Sequence, residues 1–212
     1  MSAAQTLVLF ALPEEAKPFQ KRVRELSGGR VIVTGMGRRN TERALAAEWR
    51  RAPPGLVLTC GFAGALDPAL VLNTVLFETA DARLTARLRD AGLQPAKFHC
   101  SHRMAVTTAE KSALRRETGA DAVEMESAAV HTFCHERGVP CATVRVISDT
   151  AAEDMPLDFN TLTTPDMRMD FVKLAFAIAK SPGRIGGLLR LQRQTAAAAG
   201  GLAEALVRIL SV

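Results

Sequence analysis

Two acidic residues, Glu124 and Glu126, flank Met125 in the run Val123-Glu124-Met125-Glu126-Ser127-Ala128-Ala129. The small residues that follow predict a helix beginning here, where the positive end of the dipole favours carboxylates. No basic residue stands near them in the chain, so the pair would equally suit acceptors for sugar hydroxyls. A second group is Arg145-Val146-Ile147-Ser148-Asp149-Thr150, which puts Arg145 inside an apolar strand and Asp149 just past its C-terminal end. An arginine in such a strand must find an anion or a dense hydrogen-bond network. An aspartate at the mouth of a parallel strand is placed to donate or accept a proton. A structural ion pair would use the same residue types.

Two glycine turns lie near these groups in kind. Gly35-Met36-Gly37-Arg38-Arg39-Asn40 follows a strand and opens a helix, as a dinucleotide fingerprint does. Asn40 stands where the third glycine belongs, however, and the turn follows the second strand, not the first. Cys60-Gly61-Phe62-Ala63-Gly64-Ala65 follows the third strand. Two such turns at strand C-termini mark the crevice where an open α/β sheet holds its ligand. His131 and His135 have metal-ligand spacing on a helix, with Cys134 between them, but no further ligand stands at a diagnostic distance. No metal is expected. His99-Cys100-Ser101-His102 reads as a polar loop or strand edge with no assigned role, and no GxSxG, P-loop or HExxH occurs.

The elements that must position these residues alternate along the chain. Strands are expected at Leu7 to Leu12, Arg30 to Thr34, Leu56 to Cys60, Leu72 to Thr79, Met104 to Thr107 and Cys141 to Ser148. Several are continuously apolar, as strands covered on both faces are. Helices are expected at Glu14 to Leu26, Arg38 to Arg51, Ala82 to Ala91, Ala122 to Arg137, Met167 to Ala179 and Thr195 to Leu210. The alternation predicts one α/β layered domain over 1–212, with 181–212 a C-terminal helical extension packing on it. An amphipathic surface meeting a membrane or an apolar ligand is the other reading of that extension.

Composition narrows the function classes. The 212 residues are 48% hydrophobic and 23% charged, which excludes a disordered or fibrous chain. The balance of 27 Lys+Arg against 22 Asp+Glu gives only +5, with 5% aromatics and no tyrosine, so no nucleic-acid partner is expected. Basic residues are scattered, with short clusters such as Arg22 to Arg24, Arg38-Arg39 and Arg184 to Arg193. Four cysteines without a CxxC pair suit a reduced, cytoplasmic setting. Leu7 to Leu12, stopped by Pro13 and lacking a basic n-region, is not expected to be a signal peptide, and no apolar run is long enough for a bilayer.

In this order the pieces resemble the nucleoside phosphorylase and nucleosidase superfamily, and its methylthioadenosine/S-adenosylhomocysteine nucleosidases in particular. The resemblance rests on the acidic stretch Ala11 to Glu15, the GxGxxN turn, the Cys60-to-Ala65 turn, the VEMES helix start and the RVISDT strand end. It runs from Leu7 to Thr150. The segment Pro182 to Leu191 and the Ala-rich last helix further resemble the hopanoid-biosynthesis-associated phosphorylase subgroup. The resemblance implies a three-layer α/β/α sandwich with a mixed, partly barrel-like sheet, and cleavage of an N-ribosidic bond. It implies that Asp149 protonates the purine N7 and that Glu15 acts on the attacking water, assisted by Arg145. Glu126 would bind the ribose hydroxyls with Met125 against the sugar, and Glu124, Ser148, Phe62 and Gly61 would complete the substrate site. The chemistry is coherent, because a cationic sugar in the transition state is stabilised by carboxylates while an acid discharges the base.

Three departures stand out. Phe62 replaces a serine that helps hold the nucleophile in the nucleosidases, the phosphate loop expected around Leu12 to Phe19 is absent, and the segment between Thr79 and Met104 is short. Phosphate as a co-substrate would then need Arg38 or Arg145; no other cofactor is expected. The short wall would admit a bulky apolar 5′ group, such as the hopane skeleton of adenosylhopane, which makes a membrane-proximal substrate one expectation. The expected partner is a small purine nucleoside and the expected state a homo-oligomer. A nucleoside-binding module without turnover is the alternative from another class, and a futalosine/methylthioadenosine-type nucleosidase the alternative within the enzymes.

Overall fold

The computed structural model describes residues 5–23, 29–164 and 166–211. Arg24 and the expected end of the first helix at Leu26 lie outside the described residues. The elements in chain order are β1 (Thr6–Phe10), α1 (Pro13–Val23), β2 (Gly29–Val33), α2 (Arg38–Arg51), β3 (Leu56–Ala65), β4 (Val75–Glu78), α3 (Ala82–Asp90), β5 (Gln94–Pro95) and β6 (Phe98–Cys100). There follow α4 (Thr108–Thr118), β7 (Ala122–Glu124), α5 (Ser127–His135), β8 (Cys141–Asp149), α6 (Phe171–Lys180) and α7 (Ile185–Ser211).

The strands form one mixed sheet in the order β2-β1-β3-β8-β4-β5, and β3 makes it fork. Its first half, Leu56 to Cys60, pairs parallel with β1, whereas Gly64 and Ala65 pair antiparallel with β7, which in turn pairs with β6. The opposite edge of β3 pairs with β8 along its length. One strand thus serves two directions, and the sheet curls towards a barrel at the C-terminal ends of β3 and β8.

Apolar residues cover both faces, which is why the strands read as unbroken hydrophobic runs. Val8, Phe10, Leu58, Val144 and Val146 face α1, α3 and α7. Leu7, Leu9 and Val57 face α2 and α5 through Leu45, Val130 and Cys134. The result is the expected α/β/α sandwich.

Three expectations are corrected. Met104 to Thr107 is not a strand but the approach to α4, where Thr107 caps Glu110 N–H and Glu110 accepts from Val106 and Thr107 N–H. That capping box was legible as T-x-x-E and marks a helix start. The predicted helix from Ala122 is a strand as far as Glu124, because sheet pairing on both edges outweighs local helix preference. The last helix is 27 residues long and starts at Ile185, running through Gly186-Gly187 and Gly200-Gly201. Burial of Ala198, Leu202, Leu206 and Ile209 outweighs the roughly 1 kcal/mol that each helical glycine costs. No helix among the described residues is long and apolar enough to cross a membrane.

Candidate active site

Glu15 sits in the first turn of α1, where its side chain folds back on the helix entry. Ala11 and Leu12 N–H donate to Oε2 at 3.1 and 2.9 Å. Phe62 N–H, from β3, donates to Oε1 at 2.8 Å. Burial pushes the carboxyl up to about 7, against the opposing pull of Arg145 and these backbone donors. A carboxyl titrating there is matched to general-base work near neutrality.

Gly61 makes room for this arrangement. A Cβ on it would lie 2.6 Å from Glu15 Oε1 and 2.7 Å from Arg145 Nη1, so the two charged groups face each other across a missing side chain. Arg145 is 1% exposed in the middle of β8. Its Nη2 donates to Glu124 Oε2 at 2.6 Å and to Glu126 Oε2 at 3.2 Å. The sequence showed no base near the two glutamates; the fold supplies one from a strand nineteen positions beyond Glu126.

The two carboxylates differ in what they have left. Glu124 Oε2 accepts from Glu126 and Ser127 N–H, and Oε1 from the Ser127 hydroxyl at 2.5 Å. Burial pushes its carboxyl up, but Arg145, the Ser127 hydroxyl and the Glu126 N–H outweigh this and hold it below the usual range. With its side chain fully enclosed, Glu124 binds the Ser127 N–H and hydroxyl at the start of α5 and holds Arg145. Glu126 is the N-cap residue of α5 and accepts from Gly37 N–H at 3.0 Å. Burial raises its carboxyl, with Arg145 opposing. The glycine turn at Gly35 to Asn40 thus supplies a backbone donor to Glu126.

Met125 lines a cleft of ≈ 480 Å³ together with Met36, Gly37, His102 and Met167. The polar segment left without a role contributes Cys100, Ser101 and His102 to this wall. Arg38, Arg39 and Arg43 lie along the same cleft. Phe62 is half-buried against the core, and its contribution to Glu15 comes from the backbone, so the serine-to-phenylalanine departure leaves that contact intact.

Asp149 ends β8 beside an irregularity. Ala63 pairs with Ile147 and Gly64 with Asp149, leaving Ser148 as the extra residue of a bulge. Bulges of this kind re-aim side chains near active sites. Ser148 Oγ donates to Asp149 Oδ1 at 2.9 Å. Asp149 Oδ2 accepts from Lys111 Nζ at 2.6 Å, a partner the sequence did not suggest. His131 on α5 meets the Thr143 hydroxyl at 2.8 Å, and the described residues contain no cluster fit to hold a metal.

This arrangement of strands has counterparts. A family model described as the phosphorylase superfamily matches residues 75–180, half of the chain, and so includes Glu124, Glu126, Arg145 and Asp149. The chain belongs to the phosphorylase superfamily. Among curated relatives of this superfamily member, the 5′-methylthioadenosine/S-adenosylhomocysteine nucleosidase of Shewanella halifaxensis is 26% identical over 174 residues, covering 64% of this chain and 75% of that protein. Among solved structures, futalosine hydrolase of Helicobacter pylori superposes with a TM-score of 0.75 at 18% identity, covering 98% of each chain. The 5′-methylthioadenosine/S-adenosylhomocysteine nucleosidase of the same organism, with butyl-thio-DADMe-Immucillin-A, gives 0.77 at 17% identity, covering 100% of this chain and 99% of that one. At these identities the structures establish that this superfamily member shares their fold.

Proposed function

We propose that the protein is an enzyme that cleaves the N-ribosidic bond of a 5′-modified purine nucleoside, with adenine as the leaving base. The observation that carries the reading is the meeting of Glu15, Arg145 and Glu126 around Gly61 and Gly37, with Asp149 four residues beyond Arg145 on β8. Glu15 takes a proton from water, Glu126 accepts from the ribose hydroxyls, Met125 packs against the sugar and Asp149 protonates the departing base. Carboxylates around the sugar stabilise the positive charge that develops as the bond breaks.

Hydrolysis is favoured over phosphorolysis because Arg145, the cation nearest Glu15, already holds two carboxylates. Phosphate would have to displace one of them or settle outside, near Arg38.

For the 5′ group, the proposal is an apolar substituent of the adenosylhopane type. Asp166 and Met167 at the cleft lead directly into α6, and α6 with the start of α7 exposes Phe171, Val172, Phe176, Ile185 and Leu189. Burying such a tail contributes about 0.8 kcal/mol per CH₂. Arg38, Arg39 and Arg43 at the same cleft support a second reading, an acidic 5′ substituent.

Incubation with methylthioadenosine, adenosylhomocysteine, futalosine and a 5′-alkyl adenosine, with and without phosphate, tests the proposal. Release of free base with the 5-substituted ribose as co-product supports hydrolysis, and a 5-substituted ribose 1-phosphate co-product overturns it. A preference for the alkyl substrate supports the apolar reading; preference for a carboxylated one replaces it. No base from any substrate leaves a binding module.

A further inference from the structure

Lys111, on α4, is 0% exposed. Lysine is almost never fully buried unless paired, and taking its charge out of water is expensive. All three of its N–H donors are used: Asp149 Oδ2 at 2.6 Å, the Thr150 carbonyl at 2.7 Å and the Glu153 carbonyl at 2.8 Å. The ammonium is thereby fastened to one oxygen of one carboxylate and to the backbone that follows it.

The two oxygens of Asp149 are consequently unequal. Oδ2 is held by Lys111 and backed by Gly64, whose missing Cβ would lie 3.0 Å away. Oδ1 meets the Ser148 hydroxyl at 2.9 Å, and that hydroxyl has a second acceptor, the Ala63 carbonyl, at 3.4 Å. Ser148 can therefore turn its proton to Ala63 when Oδ1 carries one and back to Oδ1 when it does not.

We propose that Lys111 is the positioning residue of the proton donor: it fastens Oδ2 of Asp149 and assigns the exchangeable proton to Oδ1. This inference rests on the cleavage reaction proposed above. In the step itself the Oδ1–H bond breaks, the proton adds to the base nitrogen, and the C1′–N electron pair departs with the base. The carboxylate left behind is stabilised by the Lys111 ammonium at Oδ2 and by Ser148 at Oδ1. No further reactant is needed.

The test compares leaving groups in the full chain. Wild type, Lys111→Met, Asp149→Asn and the double variant are assayed on methylthioadenosine and on 4-nitrophenyl 5-methylthioriboside, whose nitrophenolate departs without a proton. Lys111→Met is expected to lose roughly 10²-fold or more in kcat on methylthioadenosine, with KM nearly unchanged, and about tenfold or less on the nitrophenyl substrate. The double variant is expected to be no slower than Asp149→Asn alone on methylthioadenosine, since both changes remove one function. Equal losses on both substrates, a rise in KM alone, or no loss would overturn the positioning role. Should Lys111→Met fail to fold around an unpaired carboxylate, the double variant, which removes that charge, still decides. A further drop below Asp149→Asn then overturns the inference. Wild type that releases neither adenine nor nitrophenolate overturns the cleavage reading itself, and the positioning role with it.

Discussion

Glu15 and Phe62, 47 positions apart, are joined by a backbone hydrogen bond of 2.8 Å from the Phe62 N–H to Glu15 Oε1. The bond ties the first turn of α1 to the C-terminal half of β3, and it needs no particular side chain at position 62. Phe62→Ser should therefore keep kcat within a few-fold of wild type, measured as base release. A large loss would assign the phenyl ring itself to substrate.

A general base at Glu15, as proposed, works only when ionised, and burial pushes its carboxyl up to about 7, so activity should fall as the pH drops through that value. Below that value the protonated form prevails and cannot accept a proton from water. A kcat/KM profile from pH 5 to 9 should show this acidic limb, one decade per pH unit at its low end. A limb near 4.5 would mean that the base is another group.

Gly61→Ala should reduce turnover by roughly 10²-fold, since the new Cβ would displace Glu15 or Arg145 and a shift of about 1 Å at reacting groups costs that much. Circular dichroism should show the fold retained. Wild-type turnover in this variant would show that the facing of Glu15 and Arg145 is not needed.

Asp149→Asn should lower kcat by roughly 10²–10⁴-fold with little change in KM, as expected for a lost proton transfer. Glu126→Gln should harm both kcat and KM, since ribose binding and charge stabilisation are lost together. Arg145→Met should lower activity and also stability, the latter by about 3–5 kcal/mol, because it leaves Glu124 and Glu126 buried without their cation. Denaturant titration reads that difference directly.

Gly200→Ala and Gly201→Ala should each stabilise the protein by about 0.5–1 kcal/mol. Both glycines lie inside α7, and a Cβ on either meets nothing within 4 Å. The gain comes from lower backbone freedom in the unfolded chain. A fall in the denaturation midpoint would mean that a contact at this helix face needs the glycines.

Much of this protein was legible in the chain itself. Unbroken apolar runs such as Leu7 to Phe10 announce strands covered on both faces, and Leu45, Val130 and Leu202 show what covers them. The type and order of Glu15, Glu126, Arg145 and Asp149 carried both the resemblance and the proposed chemistry, since these properties are local to each motif. What the chain could not show is which charges meet. Glu124 and Glu126 look alike in sequence, yet Glu124 is taken up by Glu126 and Ser127 N–H, the Ser127 hydroxyl and Arg145, whereas Glu126 accepts from Gly37 N–H and Arg145. Lys111 drew no role from the chain alone, and only the fold brings its ammonium to Asp149 and the Thr150 carbonyl. Pairing of this kind is set by long-range packing in a low-dielectric interior, where an unpaired charge is prohibitive, and only the tertiary structure brings the partners within reach.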